Sequence, residues 1–179
     1  MVRPRFRLVL VLLPLLLAGS ARAQHRSDPL TQPEIDQLRD AAQDADPRLK
    51  LYITFARARL TALEQVRSDA KITDKGEAIH DRLQDFVDVY DELNHNIDTF
   101  NNRKADLRKV LKAVIEADTE FQARLRALRD SAEAGKDEAK AYEFVMSDAT
   151  DDVDTSIADH RHLLTEQEEA AQRKKERKH

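Results

Sequence analysis

The 179-residue chain contains no cysteine, no tryptophan, three glycines, five prolines and 5% aromatic residues. Without cysteine there is no disulfide framework, thiol catalysis or thioether-linked haem, so stability rests on packing. All the prolines lie at or before Pro47, and beyond Gly19 the only glycines are Gly76 and Gly135. The long middle of the chain therefore lacks the residues that punctuate strands and turns. A sequence so rich in Ala, Leu, Glu, Asp, Lys and Arg predicts an all-α fold.

Residues 1–23 read as a secretory signal. Arg3, Arg5 and Arg7 precede an apolar run from Leu8 to Ala18, and Ala21-Arg22-Ala23 supplies an A-x-A cleavage site before Gln24. The run is too short for a comfortable span, which needs roughly 20 apolar residues. Leu17-Ala18-Gly19-Ser20 resembles a lipobox, but Ser20 stands where the lipid-bearing cysteine would be. The expectation is export to the periplasm or the extracellular space, cleavage between Ala23 and Gln24, no lipid anchor and no transmembrane segment in the mature chain. Removing four arginines takes the basic count from 30 to 26 against 34 acids, so the mature charge is −8. That charge repels nucleic acid and anionic lipid on average.

The rest divides into an N-terminal segment (24–46) with a short helix, a helical bundle (47–171) and a basic tail (172–179). Thr31-Gln32-Pro33-Glu34 reads as a capping box opening a helix to about Gln43. Asp46-Pro47 marks the next start, as N-cap and first helical residue. From there to about Ser68, Leu49, Tyr52, Ile53, Ala56, Leu60 and Leu63 form one apolar face. Leu51, Phe55, Ala58 and Ala62 form a second, which calls for a second partner: the short helix, or a dimer or client surface.

Asp74-x-x-Glu77 reads as another capping box. After it Ile79, Leu83, Phe86, Tyr90, Leu93, Ile97 and Phe100 step by four and three, the rhythm of coiled-coil-like packing. The register continues through Lys104, Leu107, Leu111, Val114, Asp118, Phe121, Leu125 and Leu128. One helix over 77–134 would approach ~87 Å. A hairpin at Asn101-Asn102 is preferred, because asparagine tolerates the left-handed conformation and a compact domain buries more of the seam. Gly135 stops that helix, and Tyr142, Met146, Ala149, Val153, Ser156, Ile157, His160, Leu163, Gln167 and Ala170 repeat the spacing. The predicted fold is an antiparallel up-down bundle of four main helices with a short N-terminal one.

Glu77-x-x-His80 and Glu92-x-x-His95 have the spacing used by carboxylate-bridged metal bundles. The core register, however, puts His80 at a flank and Glu92 with His95 outside, and 15 residues separate the two motifs by ~22 Å on one helix. They are therefore read as surface carboxylate–histidine pairs, with Glu77, His80, Glu92, His95 and His160 kept as metal candidates of low rank and no cofactor expected. Lys104, Asp118 and His160 are polar residues on the seam. Each predicts a partner on a neighbouring helix or an opening to water, with fixing register as the first role and lining an internal pocket as the alternative.

Asp81, Asp85, Asp88 and Glu92 form one acidic stripe, and Asp148, Asp151, Asp152, Asp154 and Asp159 another; they read as solvated faces, with a docking surface for a basic partner as the alternative. The terminal QRKKERKH carries five cations and one acid. It reads as a helix end whose cations complement the dipole, or as a contact for an anionic surface.

Leu30-Thr31-x-x-Glu34, Leu60-Thr61-x-x-Glu64 and Leu164-Thr165-x-x-Glu168 resemble the L-T-x-x-Q signature of small periplasmic stress chaperones, with Glu where that family has Gln. The resemblance implies a helical cradle that holds unfolded clients. The functional expectation is an exported, non-enzymatic bundle acting on a protein partner, on the envelope or by self-association; a holdase and a metal-binding bundle are the alternatives.

Overall fold

The computed structural model describes residues 29–132 and 136–177. The signal segment, the Ala23–Gln24 junction, Gly135, Lys178 and His179 lie outside the described residues. The elements are α1 (Gln32–Asp40), α2 (Ala45–Ser68), α3 (Lys75–Asn102), α4 (Arg108–Ala132), α5 (Lys136–Ala139) and α6 (Glu143–Glu176), with no strand among the described residues. The fold is an all-helical bundle, and no described helix is long and apolar enough to cross a membrane.

The 4-3 rhythm marks the dry side of each helix. Ile79, Leu83, Phe86, Tyr90, Leu93, Ile97 and Phe100 are all buried, as are Leu107, Leu111, Val114, Phe121, Leu125 and Leu128. At about 1.5–3 kcal/mol for each fully buried large apolar side chain, this seam dominates the favourable side of folding. Phe86, Tyr90 and Phe121 form its aromatic centre, with ring centroids 5.5–6.1 Å apart.

Cross-helix contacts set the helix directions. Lys109–Asp46, Arg57–Glu120 and Arg124–Glu64 keep a nearly constant offset, so α2 and α4 run parallel. Asn94–Ser156 and Asn101–Gln167 make α3 and α6 parallel in the same way. Arg48–Asn96 makes α2 and α3 antiparallel, and Lys112–Glu168 with Gln122–Asp154 does so for α4 and α6. The chain thus reverses at each main connection, as an up-down reading expects. The neighbours around the bundle are nevertheless α2, α3, α6 and α4, and the α3–α4 connection crosses the diagonal. Helices 8–10 Å apart leave a diagonal of ~11–14 Å, within the ~16 Å reach of the five residues 103–107.

That connection corrects two expectations. The chain turns back here, but α3 runs through Asn101 and Asn102 with Arg103 as its C-cap, and α4 lies across the diagonal and not beside it. Lys104, read as a seam residue, is exposed and is the one non-glycine residue with a left-handed backbone among those described, φ 63°. A continuous heptad count carried Lys104 inward; the break in the helix turns it to solvent. Leu107 resumes the core, its N–H donating to Gln167 Oε1 at 2.8 Å, while Gln167 Nε2 donates to Asn101 Oδ1 and Ala105 O.

Helix starts differ in detail. At α1 the Thr31 N–H donates to Glu34 Oε2 at 2.7 Å, as a capping box requires. At α2 the N-cap is Asp44, placing Asp46 and Pro47 inside the first turn. At α3 Asp74 is the N-cap but makes no side-chain capping bond. Gly76 is where a Cβ would come within 2.8 Å of Ala141 Cβ, so a side chain there would push apart the start of α3 and the α5–α6 corner.

Part of the second apolar side of α2 is covered by α1. Phe55 is buried and Leu51 half-buried, and Arg59 reaches over to pair with Glu34 at 2.6 Å, their side chains 14% and 12% exposed. Burial lifts the Glu34 carboxyl, but hydrogen bonds from Arg59 and Thr31 outweigh it and hold it below its usual range. Ala58 is exposed and Ala62 half-buried.

Candidate functional site

Asp118, fully buried halfway along α4, lies opposite Tyr90 of α3 and His160 of α6. Tyr90 Oη–H donates to Asp118 Oδ1 at 2.9 Å, and His160 Nδ1 lies 2.8 Å from Asp118 Oδ2. A carboxylate only accepts, so the histidine proton on this side sits on Nδ1 and the imidazole is held by its inner edge. Burial, then the Asp118 charge, raises the Tyr90 hydroxyl pKa, so the phenol stays protonated as the donor. One carboxylate thereby joins three helices, and removing it would leave two buried polar groups without their partner.

The network has an outer edge. His160 is 5% exposed and lines a cleft of about 360 Å³ between α3 and α6. Asn94 and Ser156 form one wall, Asn94 Nδ2 donating to Ser156 Oγ at 3.0 Å; Ile97 and Leu163 supply apolar surface, and the Asp98 and Asp159 carboxylates stand exposed at the rim. Asn94 Oδ1 is buried without a hydrogen-bond partner.

Of the residues singled out from sequence, the structure brings together Asp118 and His160 and sets the others apart. Glu77, Glu92 and His95 are exposed, and His80 is half-buried, 3.4 Å from Asp81. No group of three or more potential metal ligands converges among the described residues. Tyr90, counted from sequence as a greasy seam residue, is the third member of the network. Its hydroxyl, one seam position among carbon-only side chains, was the available signal. Asn94 gave none, because a single asparagine on a wet flank looks like any other.

Two charged features complete the surface. Asp152, half-buried on α6 among Asp148 and Asp151, has its carboxyl pKa raised by burial and then by those like charges. At the far end, α6 runs on without a break through residues 171 and 172, and every described residue from Gln172 on is exposed. Arg108, with Lys174 nearby, holds the Asp106 carboxyl down at about 2, which places the basic end of α6 beside the α3–α4 turn. Arg103, Lys104, Lys175 and Arg177 at this end form no ion pair among the described residues.

Compared with known proteins, the chain matches no family model, no curated protein and no solved structure.

Proposed function

We propose that this chain is an exported, non-enzymatic bundle that works by binding and docks through its basic end onto a phosphate-bearing anionic lipid surface of the envelope. One observation carries the reading: Arg103, Lys104, Lys175 and Arg177, in no ion pair among the described residues, gather with Lys174 where the α6 terminus passes the α3–α4 turn, on a protein whose mature charge is −8. Distance reconciles the two. Lys174 lies ~22 Å along α6 from Asp159, well beyond the ~8 Å Debye length at physiological salt, so a surface touching the basic end is screened from the acidic stripe that ends at Asp159, and of the acids Asp106, Glu169 and Glu176 lie close to the cations. The A-x-A signal ending at Ala23 supports export.

Co-sedimentation of the mature chain with vesicles tests this. Binding to anionic but not zwitterionic vesicles, fading with salt, is the expected result. Reversal of three charges (Lys174→Glu, Lys175→Glu and Arg177→Glu) is expected to cost on the order of 100-fold at ~1 kcal/mol per cation. Equal binding by the reversed variant would overturn the reading, and a chain retained inside cells with residues 1–23 intact would overturn export.

The holdase reading draws on a different observation. Phe144 is 81% exposed at the start of α6, and an open groove of about 320 Å³ runs between α2 and α4 past Leu60, Leu63, Ala127 and Leu128. Suppression of aggregation of an unfolded client at near-equal stoichiometry, lost on Phe144→Ser, would favour it.

A further inference from the structure

We infer that the cleft between α3 and α6 is a binding site for a small aliphatic amine cation. The walls offer acceptors. His160 gives its Nδ1 edge to Asp118, so the neutral imidazole has its opposite ring nitrogen left as an acceptor for a ligand in the cleft. Asn94 gives its amide N–H to Ser156, and its carbonyl oxygen lies buried behind the wall. Asp98 and Asp159 bring two carboxylates to the rim, neither of them in an ion pair among the described residues. A site that presents acceptors and negative charge selects a ligand made of N–H donors and positive charge. Ile97 and Leu163 add an apolar strip suited to methylene carbons, and the volume of about 360 Å³ lies at the small end of ligand pockets. Asn101 and His162 also line the cleft and carry N–H groups, but the two rim carboxylates disfavour a carboxylate or phosphate ligand. Rigidity favours the site as well, since His160 is held from beneath by Asp118, itself fixed by Tyr90.

The cleft reaches Asn101, close to the α3–α4 turn, but its rim acids are distinct from the α6-tail cations, so different substitutions test the two proposals. The test is an NMR titration of the mature chain with 1,4-diaminobutane at neutral pH and low salt. Saturable shifts are expected, centred on the Asn94 side-chain amide and the His160 ring, with half-saturation below about 1 mM and no response to 1-butanol or butyrate. Asp98→Asn with Asp159→Asn, both at exposed rim positions, should raise the midpoint at least tenfold, whereas Asp148→Asn and the charge reversals on the α6 tail should leave it unchanged. Absence of saturation, an unchanged midpoint in the Asp98/Asp159 variant, or shifts spread along the acidic stripes would each overturn the assignment.

Discussion

The bundle contains two parallel helix pairs with different seams. Where α2 meets α4, opposite charges meet: Arg57 takes Glu120 at 2.7 Å, Arg124 takes Glu64 at 2.8 Å and donates to Thr61, and Lys109 takes Asp46 at 3.0 Å. Where α3 meets α6, both helices carry acidic stripes, and the contacts that join them are between neutral groups, Asn94 with Ser156 and Asn101 with Gln167. Parallel neighbours also align their macrodipoles, which is mildly unfavourable for both pairs. On α2/α4 side-chain ion pairs offset that; on α3/α6 the neutral contacts do not. Adhesion at the second pair therefore comes from the core beneath, from the Tyr90–Asp118–His160 network and the apolar seam, and the wet flank is left open enough to hold a cleft.

The comparison breaks most easily at Asp118. Asp118 and Glu120 are two residues apart on α4, one inside and facing α6, the other outside and facing α2. Asp118→Ala strands a phenol and an imidazole in the core, with an expected loss of about 3–5 kcal/mol. Urea unfolding at neutral pH measures it. Joint replacement of Asp118 and His160 by leucine should cost less than the sum of the two single changes by more than about 1 kcal/mol, because the orphaned partner disappears. A loss below about 1 kcal/mol for Asp118→Ala would mean that water reaches the network, and that α3 and α6 are held by the apolar seam alone.

Much of this difference was legible beforehand. The seam followed from the spacing of Ile79 to Phe100 and of Leu107 to Leu128, because a buried stripe is a one-dimensional property that a sequence carries directly. Asp118 and His160 were visible as polar residues on a dry face, and a partner for each was required on energetic grounds. Which partners they found depended on the ring order of the helices, a property of three dimensions. The diagonal connection brings α3 and α4 face to face across the core, and no spacing rule encodes a diagonal. Lys104 shows the same failure on a smaller scale. The heptad count passed straight through it because four-three spacing is blind to where the backbone stops being helical.

Lys104 also supplies a test of the turn that creates both parallel pairs. A lysine at φ 63° has a strained backbone that glycine relieves. Lys104→Gly should therefore stabilise the protein by up to about 1 kcal/mol, the relief being partly offset by the greater freedom of the unfolded chain. A shift in the urea midpoint without a change in slope is the expected signature. Destabilisation would show that the Lys104 side chain, not its backbone, is what the turn requires.

The smallest effects discriminate most directly between the flanks, because they should have opposite signs. Glu120 is held below its usual carboxylate range, first by the hydrogen bonds from Arg57 and further by Arg124. Its contribution is present above its unfolded pKa near 4.5 and is lost as pH falls through the lower folded value. Asp152 is shifted upward by burial and by its acidic neighbours. Its contribution is therefore fully present below the unfolded value of 3.8 and is lost as pH rises through the folded one, so at neutral pH its charge is a liability. Glu120→Gln should then destabilise, and Asp152→Asn stabilise, each by roughly 0.3–1 kcal/mol at pH 7 and low salt, and added salt should shrink both because the groups are partly exposed. Asp152→Asn should also lose its advantage as the pH is lowered through the acid range, because the native protein then protonates Asp152 itself. If both substitutions destabilise, Asp152 gains more from its surroundings than it loses to Asp148 and Asp151, and the contrast between the two parallel seams is one of geometry and not of charge.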